Sequence, residues 1–85
     1  MQKVEIYATR FCPYCVRAKG LLQKKGVEFV EYDLDVNPDL RSVMMERANG
    51  GRTVPQIFIG DTHVGGSDDL FALERADKLD TLLNG

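Results

Sequence analysis

Cys12 and Cys15 are the chain's only cysteines, with two residues between them in "RFCPYCVRAK" at positions 10–19. Thiols at this spacing can clip a metal, close a structural disulfide, or work as a reactive pair in which one sulfur attacks and the other resolves. Zinc needs four protein ligands in a structural site and three in a catalytic one. Beyond the pair the chain offers a lone His63, far along the sequence, so no complete zinc site is expected within one chain. A cluster shared between two chains would instead draw thiolates from each. A disulfide closing so short a loop constrains the unfolded chain little. The remaining bland reading is an inert pair, two small buried hydrophobes.

Position favours the reactive pair. Arg10, Arg17 and Lys19 lie close by, and no acidic residue occurs from Thr9 to Val27. Ahead of the pair, "KVEIYA" alternates, with Val4, Ile6 and Ala8 on one face of a short strand. From Pro13 to Lys25 the period turns helical: Cys15, Ala18 and Leu22 share a face, Leu21 lies beside them, and Gly26 suits the stop. A helix opening at Cys12 aims unpaired N–H groups and the positive end of its dipole at that sulfur, which favours an anion. Arg10 is expected to add charge there, with Arg17 and Lys19 adding more where they reach back. Pro13 fits the first helical turn. Cys15, one turn on, is near enough to bridge and faces inward. Cys12 should attack and Cys15 resolve.

The remaining elements follow the same reasoning. "VEFVEYDL" reads as a second strand, with Val30, Tyr32 and Leu34 facing one way. In "NPDL", Asn37 is the expected N-cap, Pro38 the first helical residue and Asp39 a dipole partner. Leu40, Val43, Met44 and Ala48 carry the buried stripe of that helix until "NGG" ends it. "VPQIFIG" is a dense apolar strand, and Gly60-Asp61 can turn it into "THVGG". Ser67 is expected to cap one last helical region, with Asp68 and Asp69 in its first turn. Leu70, Phe71, Leu73, Leu79, Leu82 and Leu83 run along its buried side. The order β-α-β-α-β-β-α makes an α/β sandwich: a right-handed parallel βαβ unit closed by an antiparallel hairpin.

Eighty-five residues, 44% hydrophobic and 28% charged, make one domain over 1–85 with a single modest core. A net charge of -2 disfavours nucleic acid and anionic membrane as partners. No apolar run is long enough to cross a bilayer, and the start goes into a strand without a signal-peptide block. The expected place is therefore the reducing cytoplasm, where a stapling disulfide would not persist.

Three motifs together, "CPYC" at 12–15, "TVPQIFI" at 53–59 and "GGSDDL" at 65–70, resemble the dithiol glutaredoxins, a branch of the thioredoxin superfamily. The resemblance runs essentially end to end. Thioredoxins themselves usually enclose Gly-Pro beside a tryptophan, and this chain has no Trp. The resemblance implies a thioredoxin-like three-layer sandwich, with a four-stranded mixed sheet flanked by helices. It implies a glutathione-dependent thiol-disulfide oxidoreductase acting on glutathionylated or disulfide-containing proteins, of which ribonucleotide reductase is one that it suggests. Glutathione would be the co-substrate, no cofactor would be bound permanently, and a monomer is the simplest assembly. NADPH would enter only through a separate reductase.

The same resemblance implies a glutathione site. Pro55 would be a cis-proline beside the cysteines, and the Val54 backbone would pair with glutathione as a short added strand. Ser67 and Asp68 would take the γ-glutamyl carboxylate and amine at a helix start. Gly65 and Gly66 would let the backbone come close. Tyr14 and Thr53 would line the groove, and Arg52 would pair with the glycyl carboxylate, Arg41 being the weaker candidate. Relatives commonly place a lysine three residues before the nucleophile. Thr9 stands there in this chain, and Arg10 is expected to take over the role. Two alternatives stay open: a dimer sharing an iron–sulfur cluster, and an electron carrier fed by a thioredoxin-reductase-type flavoenzyme.

Overall fold

In the computed structural model, which describes residues 1–85, the first alternating segment forms strand β1 (Val4–Ala8), buried along its whole length. A strand covered on both faces needs a layer on each side. On one side Val4, Ile6 and Ala8 meet Cys15, Ala18 and Leu22 of helix α1 (Pro13–Lys24) in the main core. On the other, Tyr7 joins Leu34, Met44, Ala48 and Phe58 in a smaller cluster under helix α2 (Leu40–Arg47). Each fully buried Leu or Ile contributes about 1.5–3 kcal/mol relative to an exposed one.

β2 (Val30–Asp33) pairs parallel with β1, and β3 (Gln56–Ile59) pairs antiparallel with β1 on its other edge. β4 (Thr62–Gly65) closes the hairpin, giving the order β2-β1-β3-β4. The expected mixed four-stranded sheet is therefore present, with helices on both faces. No helix is long and apolar enough to cross a membrane.

Four local expectations need correction. The second strand is only four residues long: Val30 is exposed, and Phe29 packs against the main core instead. Asn37 and Pro38 do not start regular α-helix. Leu40 N–H bonds to Asn37 and Arg41 N–H to Pro38, an i→i+3 pattern, so a tight turn precedes α2. Val43 is exposed, leaving Met44 as the fully buried residue of that helix. The last helical region is two helices, α3 (Ser67–Arg75) and α4 (Leu79–Asn84). The break lies at Asp77, held at φ 57. Asp77 N–H bonds back to Glu74, and Lys78 N–H to Leu73, a paired closure that ends a helix. Gly26 and Asn49 end α1 and α2 in the same way.

Ionic contacts tie the layers together. Lys25 Nζ reaches Glu74 at 2.8 Å and Asp80 at 2.9 Å, pinning the end of α1 to α3 and α4. On the opposite face Arg47 Nη2 lies 3.0 Å from Glu5 Oε1, and its guanidinium sits 4.1 Å above the Phe58 ring centroid. That guanidinium holds the Glu5 carboxyl below its ordinary value, while Glu5 pushes the Tyr32 hydroxyl up to about 12.

Candidate active site

The chain leaves β1 and enters α1 at Cys12, the N-cap, with extended backbone at φ -109 and ψ 109. Pro13 takes the first helical position, as its missing N–H and fixed φ favour. Cys15 N–H donates to Cys12 Sγ at 3.2 Å, so the sulfur does the job a capping oxygen usually does. No acidic residue occupies the first turn of α1 to oppose a negative charge there.

The two sulfurs differ in environment. Cys12 is partly exposed, whereas Cys15 is fully buried against the core. Burial, with the bond to Cys12 behind it, pushes the Cys15 thiol up from 9.0 to about 12. Cys15 is thus held as a thiol while Cys12 faces solvent. Both are free.

The neighbouring cations do not contribute as expected. Arg10 Nε turns to Asp33 at 3.6 Å, and Arg10 N–H donates to Asp35 at 2.8 Å. The β1–β2 register sets Ala8 beside Asp33, which brings those carboxylates next to the start of the loop. Arg17 lies over the Phe71 ring, and Lys19 pairs with Glu31 at 2.9 Å. These side chains are engaged elsewhere, and what stands at the Cys12 sulfur is the helix start and the Cys15 N–H.

Beside the pair runs a cleft of about 470 Å³. Tyr14, Thr53, Val54, Pro55, Gly66, Ser67 and Asp68 all line it, together with Gly65. The Val54–Pro55 peptide bond is cis. Val54 carbonyl oxygen lies 3.7 Å from Cys12 Sγ and accepts its proton in the thiol form, so the outer sulfur adjoins the cleft at Val54 without itself lining it. Gly65 has φ +111, and a side chain there would run into the Asp69 carboxylate. That carboxylate accepts the Gly66 N–H at 2.9 Å.

The cap of α3 differs from expectation. Gly66 is the N-cap, and Ser67 is the first helical residue. Its hydroxyl oxygen is buried without a hydrogen-bond partner, in the wall of the cleft. Arg10 and Arg52 are not among the lining residues. Arg52 is exposed, and its carbonyl accepts from Arg41 Nη1 at 3.1 Å, which ties the incoming segment to α2.

Four lining residues were not expected from the sequence: Gly51, Gln56, His63 and Asp69. Gln56 carried a signal, being a polar residue inside a dense apolar strand. His63 carried only its place on the last strand. A larger hollow of about 630 Å³ between Gln2, Asp61, Lys78 and Gly85 contains no cysteine or histidine. No three His, Cys, Asp or Glu side chains converge anywhere in the chain, so a metal at Cys12 and Cys15 would need ligands from outside it.

The glutaredoxin family model matches residues 4–64. A glutaredoxin of Pseudomonas aeruginosa is 61% identical over 84 residues, 99% of each chain. The solved Brucella melitensis glutaredoxin is 58% identical, with a TM-score of 0.83 over 98% of this chain and 89% of that one. The buckwheat glutaredoxin–glutathione complex is 30% identical, with a TM-score of 0.89 over 98% of this chain and 77% of that one.

Proposed function

The chain belongs to the glutaredoxin family, and from that premise we propose that it reduces glutathione mixed disulfides and protein disulfides, with glutathione as co-substrate and the cytoplasm as its place of action. The observation that carries this reading is the cleft itself. Val54 backbone, the start of α3 and the unpartnered Ser67 hydroxyl line one space, and the Val54 carbonyl joins that space to Cys12 Sγ. Glutathione offers an extended backbone for Val54 and an α-carboxylate for the helix start. The buckwheat relative, solved as a glutathione complex, supports the same ligand.

In the monothiol route, Cys12 thiolate attacks the glutathionyl sulfur of a mixed disulfide. The new bond joins Cys12 to glutathione, the old one breaks, and the substrate thiolate leaves and takes a proton. A second glutathione thiolate then attacks the glutathionyl sulfur, giving oxidised glutathione and free Cys12. In the dithiol route Cys12 forms a mixed disulfide with the protein substrate. Cys15 gives up its proton, attacks Cys12 sulfur and releases the substrate dithiol. Two glutathiones then reduce the internal bond.

The test is a coupled assay with a small glutathionylated disulfide, glutathione, glutathione reductase and NADPH. Saturable turnover is expected, with none when a thioredoxin-reductase-type flavoenzyme replaces glutathione and its reductase. Turnover with the flavoenzyme alone would overturn the assignment of glutathione.

A further inference from the structure

Gln56 and His63 line the cleft, touch neither sulfur, and form a chain of contacts that ends at the cleft wall. Gln56 Nε2 donates to Thr53 carbonyl oxygen at 3.0 Å and approaches Thr53 Oγ1 at 3.3 Å. That fixes the amide, because the flipped orientation would set oxygen against oxygen. Gln56 Oε1 must then face His63 Nε2, 2.7 Å away, so this ring nitrogen carries the proton and donates.

The chain has firm backing on one side only. Gln56 is buried, and Gly51 leaves room for its amide, since a Cβ there would lie 3.1 Å from Gln56 Nε2. His63 stacks on Phe58 with centroids 4.9 Å apart, opposite it in the β3–β4 register. Phe58 is in turn covered by Arg47 at 4.1 Å. Thr53, at the other end, is exposed and leads directly into Val54.

We propose that Gln56 and His63 are positioning residues for glutathione: His63 sets the Gln56 amide, and that amide holds Thr53 so that the Val54 backbone stands ready to pair with the ligand. The proposal rests on the glutathione reading of the cleft. Ordering this segment beforehand lowers the cost of binding without altering chemistry at the sulfur. The pair therefore acts on affinity and leaves the chemical step alone.

The experiment compares wild type, Gln56→Glu, His63→Phe and the double variant in the coupled assay. Gln56→Glu keeps the shape but loses the donor to Thr53. His63→Phe keeps the stack on Phe58 but loses the donor to Gln56, and its exposed position keeps it folded should Gln56→Glu fail to fold. Each single variant is expected to raise KM for the glutathionylated substrate about three- to tenfold, with kcat within about twofold of wild type. The double variant should be no worse than the worse single one, since both break one chain. The rate of Cys12 alkylation by iodoacetamide should not move. An unchanged KM, multiplying effects in the double variant, or a fall in kcat and alkylation together would overturn the proposal. Absence of wild-type turnover would overturn the glutathione reading, and this proposal with it; normal wild-type turnover beside unmoved variants would overturn this proposal alone.

Discussion

Cys12→Ser should abolish turnover of both glutathionylated and dithiol substrates, to the background of the uncatalysed exchange. Both routes begin at this sulfur, and nothing else in the cleft can replace it. A serine oxygen at the N-cap still accepts the Cys15 N–H, so the helix start and fold survive the change. The remaining thiol, Cys15, is fully buried and held near 12, so it supplies almost no thiolate at neutral pH. The measurement is the coupled assay together with a thermal melt. Loss of activity with an unchanged melt is the expected result; residual turnover at a tenth of wild type or more would mean that Cys15 attacks on its own.

Cys15→Ser should split the two activities. Deglutathionylation needs only the outer sulfur and should stay within a few-fold of wild type. Reduction of a protein disulfide through the internal bond should fall by at least a hundredfold, because no second sulfur remains to release the substrate. A stable mixed disulfide between Cys12 and the substrate should accumulate and be visible by intact mass. The substitution also places a hydroxyl where a thiol lies buried in the main core, which destabilises the fold by about 1–3 kcal/mol. Both assays should therefore be run well below the midpoint of unfolding. Equal loss of both activities in a folded variant would remove Cys15's role as the resolving sulfur.

The legible parts of the sequence were those where one local cause decides. Pro13 after Cys12 fixes where α1 begins, and Gly26 fixes where it ends, so the cap that holds the outer sulfur could be read directly. Period-2 alternation placed Val4, Ile6 and Ala8 on the α1 side. It could not show that Glu5 and Tyr7 are buried as well, since that depends on α2 packing from the other side and on Arg47 arriving to pair with Glu5. The break at Asp77 escaped for a related reason. A left-handed residue is usually announced by Gly or Asn, and Asp gives a weaker signal.

Charges were the least legible. Proximity in sequence set Arg10, Arg17 and Lys19 around the cysteines, yet each side chain reaches a partner supplied by another element: Asp33, Phe71 and Glu31. Long flexible cations go where the tertiary fold offers a partner, and spacing along one segment does not record that. The cleft was legible through its backbone residues, Val54, Pro55 and Gly66, because motifs fix backbone shape. Gln56 and His63 became visible only once β3 and β4 stood side by side.

The core of this account is a difference between two sulfurs three residues apart: one capping a helix in reach of water, the other sealed inside. Limiting iodoacetamide applied to the fully reduced protein at neutral pH, followed by fragment mass mapping of the labelled peptide, reads that difference directly. Label should sit on Cys12, with Cys15 modified only after denaturation. Comparable labelling of the two in the native protein, or preference for Cys15, would contradict it.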